Sequence, residues 1–205
     1  MPRRTLLWLL AVAVLTVIVA AQVLAQQARV GNERAGAADM PTVVVGADVL
    51  AGIELVPARV RSNDYRRTAF GAAWDDDNGA PGGRNGCDTR SEILDRDLTD
   101  KTYVTTKRCA TAVASGTLRD PYTNATIAFL RGNQVGASVQ IDHIVPLAFA
   151  WDMGARYWDD AKRKRFANDP ANLLAVAGRA NQDKGDLPPG EWMPPNTAFW
   201  CAYAM

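Results

Sequence analysis

The chain has 205 residues, with 23 Lys and Arg against 22 Asp and Glu. If a leader carrying Arg3 and Arg4 is removed, 21 basic residues remain against 22 acidic ones, which argues against a global basic field that would attract nucleic acid. The roughly 150–180 residues left form one domain with its own core and argue against a second full domain.

The N-terminus has the pattern of an export signal. Two arginines, Arg3 and Arg4, precede an apolar run from Leu6 to about Ala25. We predict a signal peptide at residues 1–25 and a secreted protein. The run also approaches the ~20 residues that span a bilayer, so the alternative is an uncleaved anchor with the domain outside, the one case in which the membrane is a partner.

Composition then divides the rest of the chain. Residues 26–47, rich in Ala, Gly, Gln and Val, predict a linker, and the domain is expected at 48–205 with a first helix and turn at 48–60. The loop at 75–86 is dense in Asp, Asn and Gly. It resembles the start of a calcium loop, but Gly86 stands where the glutamate is required, so we predict a solvated loop.

The first half of the domain predicts one helix and three strands. Thr89 followed by Glu92 fits a capping box that begins a helix. The six tryptophans are predicted to be core residues rather than platforms for bases. Runs of β-branched residues predict strands at Tyr103–Thr106, Ala110–Ser115 and Thr126–Leu130.

The second half predicts two strands and then a helix, with another helix inserted between the strands. A strand at Ser138–Ile141 delivers Asp142 and His143 at its end. The later elements are predicted as a helical turn at Leu147–Trp151, a helix at Ala155–Ala167, a strand at Asn172–Val176 and a helix from Gly178 to Lys184.

Three cysteines, with no Cys-x-x-Cys pair, argue against a zinc or redox motif and agree with export. In an oxidising compartment two of them should pair. We predict a Cys87–Cys109 disulfide because it closes a short loop around one helix, leaving Cys201 near the chain end. The alternative, three unpaired thiols, is favoured only if the domain is cytosolic.

The single histidine, His143, follows Asp142, and asparagines come later at Asn172 and Asn181. Oxygen donors such as Asp142 and Asn181 suit Mg²⁺, or Mn²⁺, which accepts few protein ligands and keeps several waters. Imidazole titrates near neutrality and can remove a proton from water. The bland alternative is an ordinary hydrogen-bonded Asp–His pair, and one histidine excludes a histidine-rich zinc site.

Three segments in this order resemble the ββα-metal HNH nucleases, in particular the secreted bacterial HNH endonucleases whose domain also forms the C-terminal part of GmrSD-type restriction enzymes. The similarity extends from about residue 48 to the end. The three segments are Asp142-His143-Ile144-Val145-Pro146, Asn172-Leu173-Leu174 and Asn181-Gln182-Asp183-Lys184. Further similar segments are 85–90, 120–123, 166–170 and 192–196.

The resemblance implies a fold and a set of roles. The fold is α+β, a ββα-metal (HNH) nuclease core at 137–186 with an N-terminal α/β extension and an inserted helix. Asp142 and Asn181 match the metal ligands, and His143 matches the general base. Asn172 matches the asparagine that orients the loop and the histidine, and Lys184 matches a helix lysine that could contact phosphate.

We therefore expect a metal-dependent endonuclease acting on nucleic acid, with DNA favoured over RNA and no protein partner implied. The alternative is a catalytically inactive, surface-displayed binding domain with the same fold, since the family pattern continues beyond Met205 into a further helix. A cell-wall hydrolase is a third reading, suggested by location alone and weakened by the lack of residues for a zinc or nucleophile site.

Two further groups of polar residues have open assignments. Asp88 and Arg90 could line the cleft, but a capping carboxylate and a structural salt bridge are favoured. The basic run at 162–165 is either a solvated helix face or a nucleic-acid contact.

Overall fold

The computed structural model describes residues 58–132 and 137–204, together with Gln22, Ala51 and Gly52. The predicted signal peptide (1–25) and linker (26–47) lie outside the described residues, Gln22 apart, as does most of the predicted helix and turn at 48–60. No described helix is long and apolar enough to cross a membrane. The chain divides into two compact units, Met1–Leu55 and Val56–Met205, and both sheets belong to the second.

The first half of this unit is a helix followed by a three-stranded antiparallel sheet. Helix α1 (Thr89–Asp97) runs directly into strand β1 (Leu98–Thr106), which pairs with β2 (Cys109–Arg119), and β2 pairs with β3 (Thr126–Leu130). All three predicted strands are present, the first two longer than predicted.

Helix α1 is capped one residue earlier than the sequence predicts. The carboxylate of Asp88 accepts a hydrogen bond from the Ser91 amide at 2.8 Å, which satisfies one of the free amides of the first turn. The predicted capping box at Thr89 is therefore wrong. The hydroxyl of Thr89 is buried and donates to the side chain of Asn168 at 2.8 Å, which ties the start of α1 to the second half of the chain.

The second half is built on a two-stranded antiparallel sheet of β4 (Val139–His143) and β5 (Leu173–Ala177). The chain between them forms helices α2 (Leu147–Asp152) and α3 (Asp160–Ala167) and short 3-10 turns. Helix α4 (Gly178–Lys184) follows β5 without a loop, and α5 (Trp200–Ala204) ends the described chain. The molecule is thus a mixed α/β protein with two small sheets and several helices.

The predicted continuous helix at 155–167 is wrong. A 3-10 turn covers Ala155–Tyr157, Trp158 is extended, and α3 begins only after Asp159. The carboxylate of Asp159 accepts from the Lys162 amide at 2.7 Å and so starts a new helix.

The step from β5 into α4 depends on a glycine. A Cβ atom on Gly178 would lie 2.3 Å from the carbonyl oxygen of Ala137, at the start of the neighbouring strand. Only glycine allows this close approach. Helix α4 therefore begins beside β4 and carries Asn181 and Lys184 along that strand.

The largest core cluster is shared by α1 and both sheets. This cluster contains residues from both halves of the chain, so β4 is packed against side chains from each half. Its buried members are Ile93, Leu94, Leu98, Val113, Leu118, Phe129, Val139, Ile141, Leu173 and Ala175.

The outer edge of β5 is hydrogen-bonded by side chains from the first half. The Ala175 amide donates to the Asp97 carboxylate at 2.8 Å, and the Ala177 amide donates to Asp120 at 2.9 Å. Arg96 donates to the carbonyl of Leu173 at 2.6 Å. Charged side chains thus occupy positions that a third strand would otherwise fill.

The predicted disulfide between Cys87 and Cys109 is present. It joins the residue before the α1 cap to the first residue of β2. Cys201 is free and exposed.

Candidate active site around His143

Three of the predicted site residues line one cavity of about 420 Å³. Asp142 and His143 reach it from the end of β4, and Asn181 reaches it from α4. The strand and the helix lie side by side because the backbone of Gly178 approaches the Ala137 carbonyl closely. The other lining residues are Arg67, Trp74, Arg90, Gln140, Ile141, Pro146, Leu147, Gln182 and Gly185.

His143 is buried, and one of its ring nitrogens is fixed. Nε2 lies 2.9 Å from the carbonyl oxygen of Ala167, which can only accept, so Nε2 carries the proton. Nδ1 then holds the lone pair, and it has no hydrogen-bond partner among the described residues. Burial lowers the pKa of His143 to about 4, with the charges of Arg67 and Lys184 acting in the same direction. The imidazole is therefore neutral at pH 7 and able to accept a proton.

The Asp142 carboxylate is buried and already receives two donors. The hydroxyl of Tyr122 donates to Oδ2 at 2.5 Å, and the ammonium of Lys184 lies 3.0 Å from Oδ1 and 2.8 Å from Oδ2. Burial raises the pKa of Asp142, and the contacts with Lys184 and Tyr122 oppose that shift. Tyr122 is fully buried and was not singled out as a site residue in the sequence.

Lys184 has no exposed surface and does not line the cavity. Besides Asp142, its ammonium donates to the carbonyl of His143 at 2.8 Å. Burial lowers the pKa of Lys184, and the Asp142 charge opposes this. The ammonium therefore contacts the backbone and side chain of the Asp142–His143 pair, rather than a position where a phosphate would lie.

Asn172 lies outside the cavity and braces the chain that leaves β4. Its side-chain oxygen accepts from the Val145 amide at 2.7 Å, and its side-chain nitrogen donates to the Val145 carbonyl at 3.1 Å. Its own carbonyl accepts from the Ile144 amide at 2.9 Å. These three bonds fix the two residues that follow His143.

The donors present suit a hard cation that keeps most of its water. Among the described residues no cluster of three or more His, Cys, Asp or Glu side chains is placed to hold a metal. Asp142 and Asn181 offer one carboxylate and one amide oxygen on the same cavity. The side-chain nitrogen of Asn181 donates to Gln140 at 2.8 Å, which leaves its oxygen available. Two such ligands are enough for Mg²⁺.

Arg67, Trp74 and Arg90 also line the cavity. Asp88 has the capping and ion-pair role that was favoured for it, whereas Arg90 is the one of the two that lines the cavity. Asp88 caps α1 and lies 3.4 Å from Arg108, whereas Arg90 donates to the Val139 carbonyl at 3.2 Å and lines the cavity as well. No local pattern pointed to Arg67, and Trp74 was assigned to the core along with the other tryptophans.

The basic run at 162–165 lies away from this cavity. Lys162 lies over the ring of Trp158 at 4.5 Å, and Arg163 donates to the Ala69 carbonyl at 2.9 Å. Lys164 forms an ion pair with Asp75 at 2.7 Å. These contacts do not support a nucleic-acid contact at the run, and three of its side chains are engaged within the protein instead of forming a purely solvated face.

Comparison with known proteins adds two relationships. The sequence pattern of the family described as "GmrSD restriction endonucleases, C-terminal domain" matches residues 88–204. A protein of Arthroderma benhamiae named "Uncharacterized secreted protein" is 34% identical over 168 residues, which are 81% of this chain and 74% of the relative. No solved structure matches the chain.

Proposed function

Because this chain belongs to the family of the C-terminal domain of GmrSD restriction endonucleases, we propose that it is a metal-dependent endonuclease of the HNH type. The ββα-metal core is residues 137–186 within a domain at 48–205. One observation carries the proposal: Asp142, His143 and Asn181 line the same cavity, and the histidine is held in the tautomer that leaves Nδ1 able to accept a proton.

His143 is the general base. Its Nε2–H is held by the Ala167 carbonyl, so Nδ1 takes the proton from the attacking water. Burial keeps the imidazole neutral, and therefore ready to act, throughout the physiological range. Asn172 acts through the Ile144–Val145 backbone and holds the histidine at the end of β4.

Asp142 and Asn181 would hold the divalent cation, Mg²⁺ or Mn²⁺, with their side-chain oxygens. When bound, the cation neutralises charge on the phosphodiester and stabilises the leaving oxygen. Lys184 and Tyr122 fix the direction of the Asp142 carboxylate. We propose this positioning role for Lys184 in place of a phosphate contact, since its ammonium is buried against Asp142.

Arg67 and Arg90 would bind the phosphates on either side of the cut bond. Arg67 is exposed at the cavity, and Arg90 is partly buried there. Burial lowers the pKa of Arg90, with the charge of Arg131 acting in the same direction and that of Asp88 opposing it. A phosphate anion would add a second favourable charge beside this guanidinium. This local pair supplies the attraction to nucleic acid, DNA in the first place, that the neutral composition lacks.

Two observations support export and an extracellular substrate. The relative in Arthroderma benhamiae is named a secreted protein, and the Cys87–Cys109 disulfide suits an oxidising compartment. We propose that residues 1–25 are a signal peptide and 26–47 a linker, or that the segment stays as an anchor with the domain outside.

The test is cleavage of plasmid DNA, and of an RNA of similar length, with Mg²⁺ or Mn²⁺ against EDTA. We expect His143→Ala to lower the cleavage rate about 10²- to 10⁴-fold, the usual contribution of a general base. Lys162→Met, on the basic run away from the cavity, is the matched control and should cut like wild type. Undiminished cutting by folded His143→Ala would disprove the assignment.

One observation favours the alternative of an inactive binding domain. The Asp142 carboxylate already accepts from Lys184 and Tyr122, and the Lys184 ammonium opposes the approach of a cation. Calorimetric titration of the wild type with Mn²⁺ and with DNA, run beside the cleavage assay, separates the two functions. Binding of Mn²⁺ or DNA without any turnover by the wild type would establish the binding domain.

A further inference from the structure

The ring of Trp74 lies against the ring of His143. The two planes are 13° apart, with centroids separated by 5.5 Å, which is an offset stack. Both rings line the 420 Å³ cavity, and both also line a smaller cavity of about 180 Å³ next to it. The stacked pair is thus part of the wall of each cavity, and Trp74 covers one face of the imidazole.

The backbone of Trp74 is in a conformation that bulky residues rarely adopt. Its φ is 58°, in the left-handed region. The guanidinium of Arg108 donates to two successive carbonyls there, at 2.9 Å to Ala73 and 2.8 Å to Trp74. Arg108 therefore clamps the strained turn that presents the indole to His143.

Arg108 is itself fixed by its neighbours. It lies between β1 and β2, beside Cys109 of the disulfide. Its carbonyl accepts from the Asp88 amide at 3.0 Å, and its Nε lies 3.4 Å from the Asp88 carboxylate. A continuous set of contacts therefore runs from the disulfide through Arg108 and Trp74 to His143.

We propose that Trp74 is a positioning residue for His143, and that Arg108 holds it in place. The Nε2–Ala167 hydrogen bond fixes one edge of the imidazole but does not prevent the ring from tilting about that bond. The stacked indole restricts the tilt, so the two contacts together set the direction of Nδ1. The inference rests on the proposed function, in which Nδ1 accepts the proton from water.

The kinetic test compares Trp74→Ala, Trp74→Phe and Arg108→Gln, at saturating Mg²⁺. We expect Trp74→Ala to lower kcat about 10- to 100-fold with KM for DNA changed less than about threefold, because misplacement of a reacting group by about 1 Å has effects of this size. Trp74→Phe keeps an aromatic ring and should restore most of kcat. Arg108→Gln should lower kcat although the indole is retained.

Two variants serve as matched controls. Trp158→Phe changes a tryptophan that packs on Phe166 away from the cavity, and Arg119→Gln changes an arginine at the other end of β2. Both should cleave DNA like wild type. A rise in KM alone for Trp74→Ala would make the indole a substrate contact and overturn the proposal, as would full activity of Arg108→Gln.

A second readout does not depend on activity. His143 is the single histidine, so its imidazole carbon–proton resonance can be assigned directly in NMR spectra recorded at one pH with EDTA. The ring current of a stacked indole displaces this resonance, and Trp74→Ala and Arg108→Gln should move it whereas Trp158→Phe should not. An unmoved resonance overturns the stacking. If wild type does not cleave, the proposed function fails, yet this measurement still decides whether Trp74 positions His143.

Discussion

Two lysine–aspartate pairs have nearly the same separation in very different surroundings. The Lys184–Asp142 pair is 2.8 Å apart and the Lys164–Asp75 pair is 2.7 Å apart. The side chain of Lys184 is 0% exposed and that of Lys164 is 25% exposed. The two pairs are therefore distinguished by their exposure to solvent and not by the distance between their charges.

The pKa shifts of the two pairs run in opposite directions. The hydrogen bond between Lys164 and Asp75 raises the pKa of the lysine and lowers that of the aspartate, as expected at a surface. At the inner pair, burial lowers the pKa of Lys184 and raises that of Asp142. In the surface pair, water solvates each charge whether or not its partner is present. In the buried pair, each group depends on the opposite charge of the other to remain ionised.

The largest expected effect is the loss of the buried lysine. Lys184→Met should lower the free energy of unfolding by about 3–5 kcal/mol, since it leaves Asp142 buried without its counter-ion. Lys164→Met, the matched control, should change it by less than about 1 kcal/mol. Urea unfolding of both variants measures the difference, and equal losses would show that the comparison is unfounded.

The next effect is on the pH dependence of stability, which should differ between the buried site at His143 and the surface pair at Asp75. His143 has a folded-state pKa of about 4, below its unfolded value of 6.5, so the unfolded chain binds the proton more readily between these values. The contribution of His143 should lower the free energy of unfolding by about 3 kcal/mol as the pH falls from 7 to 4. The lowered pKa of Asp75 acts at lower pH, because its contribution is lost as the pH falls through the unfolded value of 3.8 towards the folded one.

His143→Gln isolates this contribution. The variant keeps the Asp142 environment, whose raised pKa acts in the opposite sense, so the difference between the variant and wild type reports the histidine. Urea unfolding at several pH values should give a shallower slope for His143→Gln. An identical slope would show that His143 is not buried in the neutral form.

The smallest effect concerns one hydroxyl. Tyr122→Phe removes a donor to the Asp142 carboxylate and should lower stability by about 1–3 kcal/mol. Tyr203 is the control, because its buried hydroxyl has no hydrogen-bond partner among the described residues and its ring packs on Tyr122. Tyr203→Phe should be neutral or stabilising in thermal unfolding. Equal losses in the two variants would remove the role given to Tyr122.

The sequence predicted the parts of the site that depend on local patterns. β-Branched runs placed β3 to within the observed bounds, and the order of Asp142, His143 and Asn181 predicted side chains that the structure does bring to one cavity. These residues lie on β4 and on α4, which follows β5 directly, so their order and spacing in the sequence are enough to predict that they lie close together. Their catalytic and metal-binding roles stay predictions.

What the sequence did not predict depends on contacts between distant segments. Trp74 reaches His143, and Tyr122 reaches Asp142, only after the two halves of the chain pack together. The sequence does not predict the break at Trp158, because Trp158 and Phe166 have the spacing of one helix face. That spacing favours a continuous helix over a new start at the capping residue Asp159. Lys184 was matched to a helix lysine that could contact phosphate, since no sequence pattern reveals that its ammonium is enclosed.

The side chains along β5 have a consequence for association between molecules. An uncovered strand edge presents amides and carbonyls to which another chain can add a strand, a common route to aggregation. Here Asp97 and Asp120 take the outward amides, and Arg96 takes an outward carbonyl. An incoming strand would have to displace these charged groups, so the two-stranded sheet is protected from intermolecular growth along this edge.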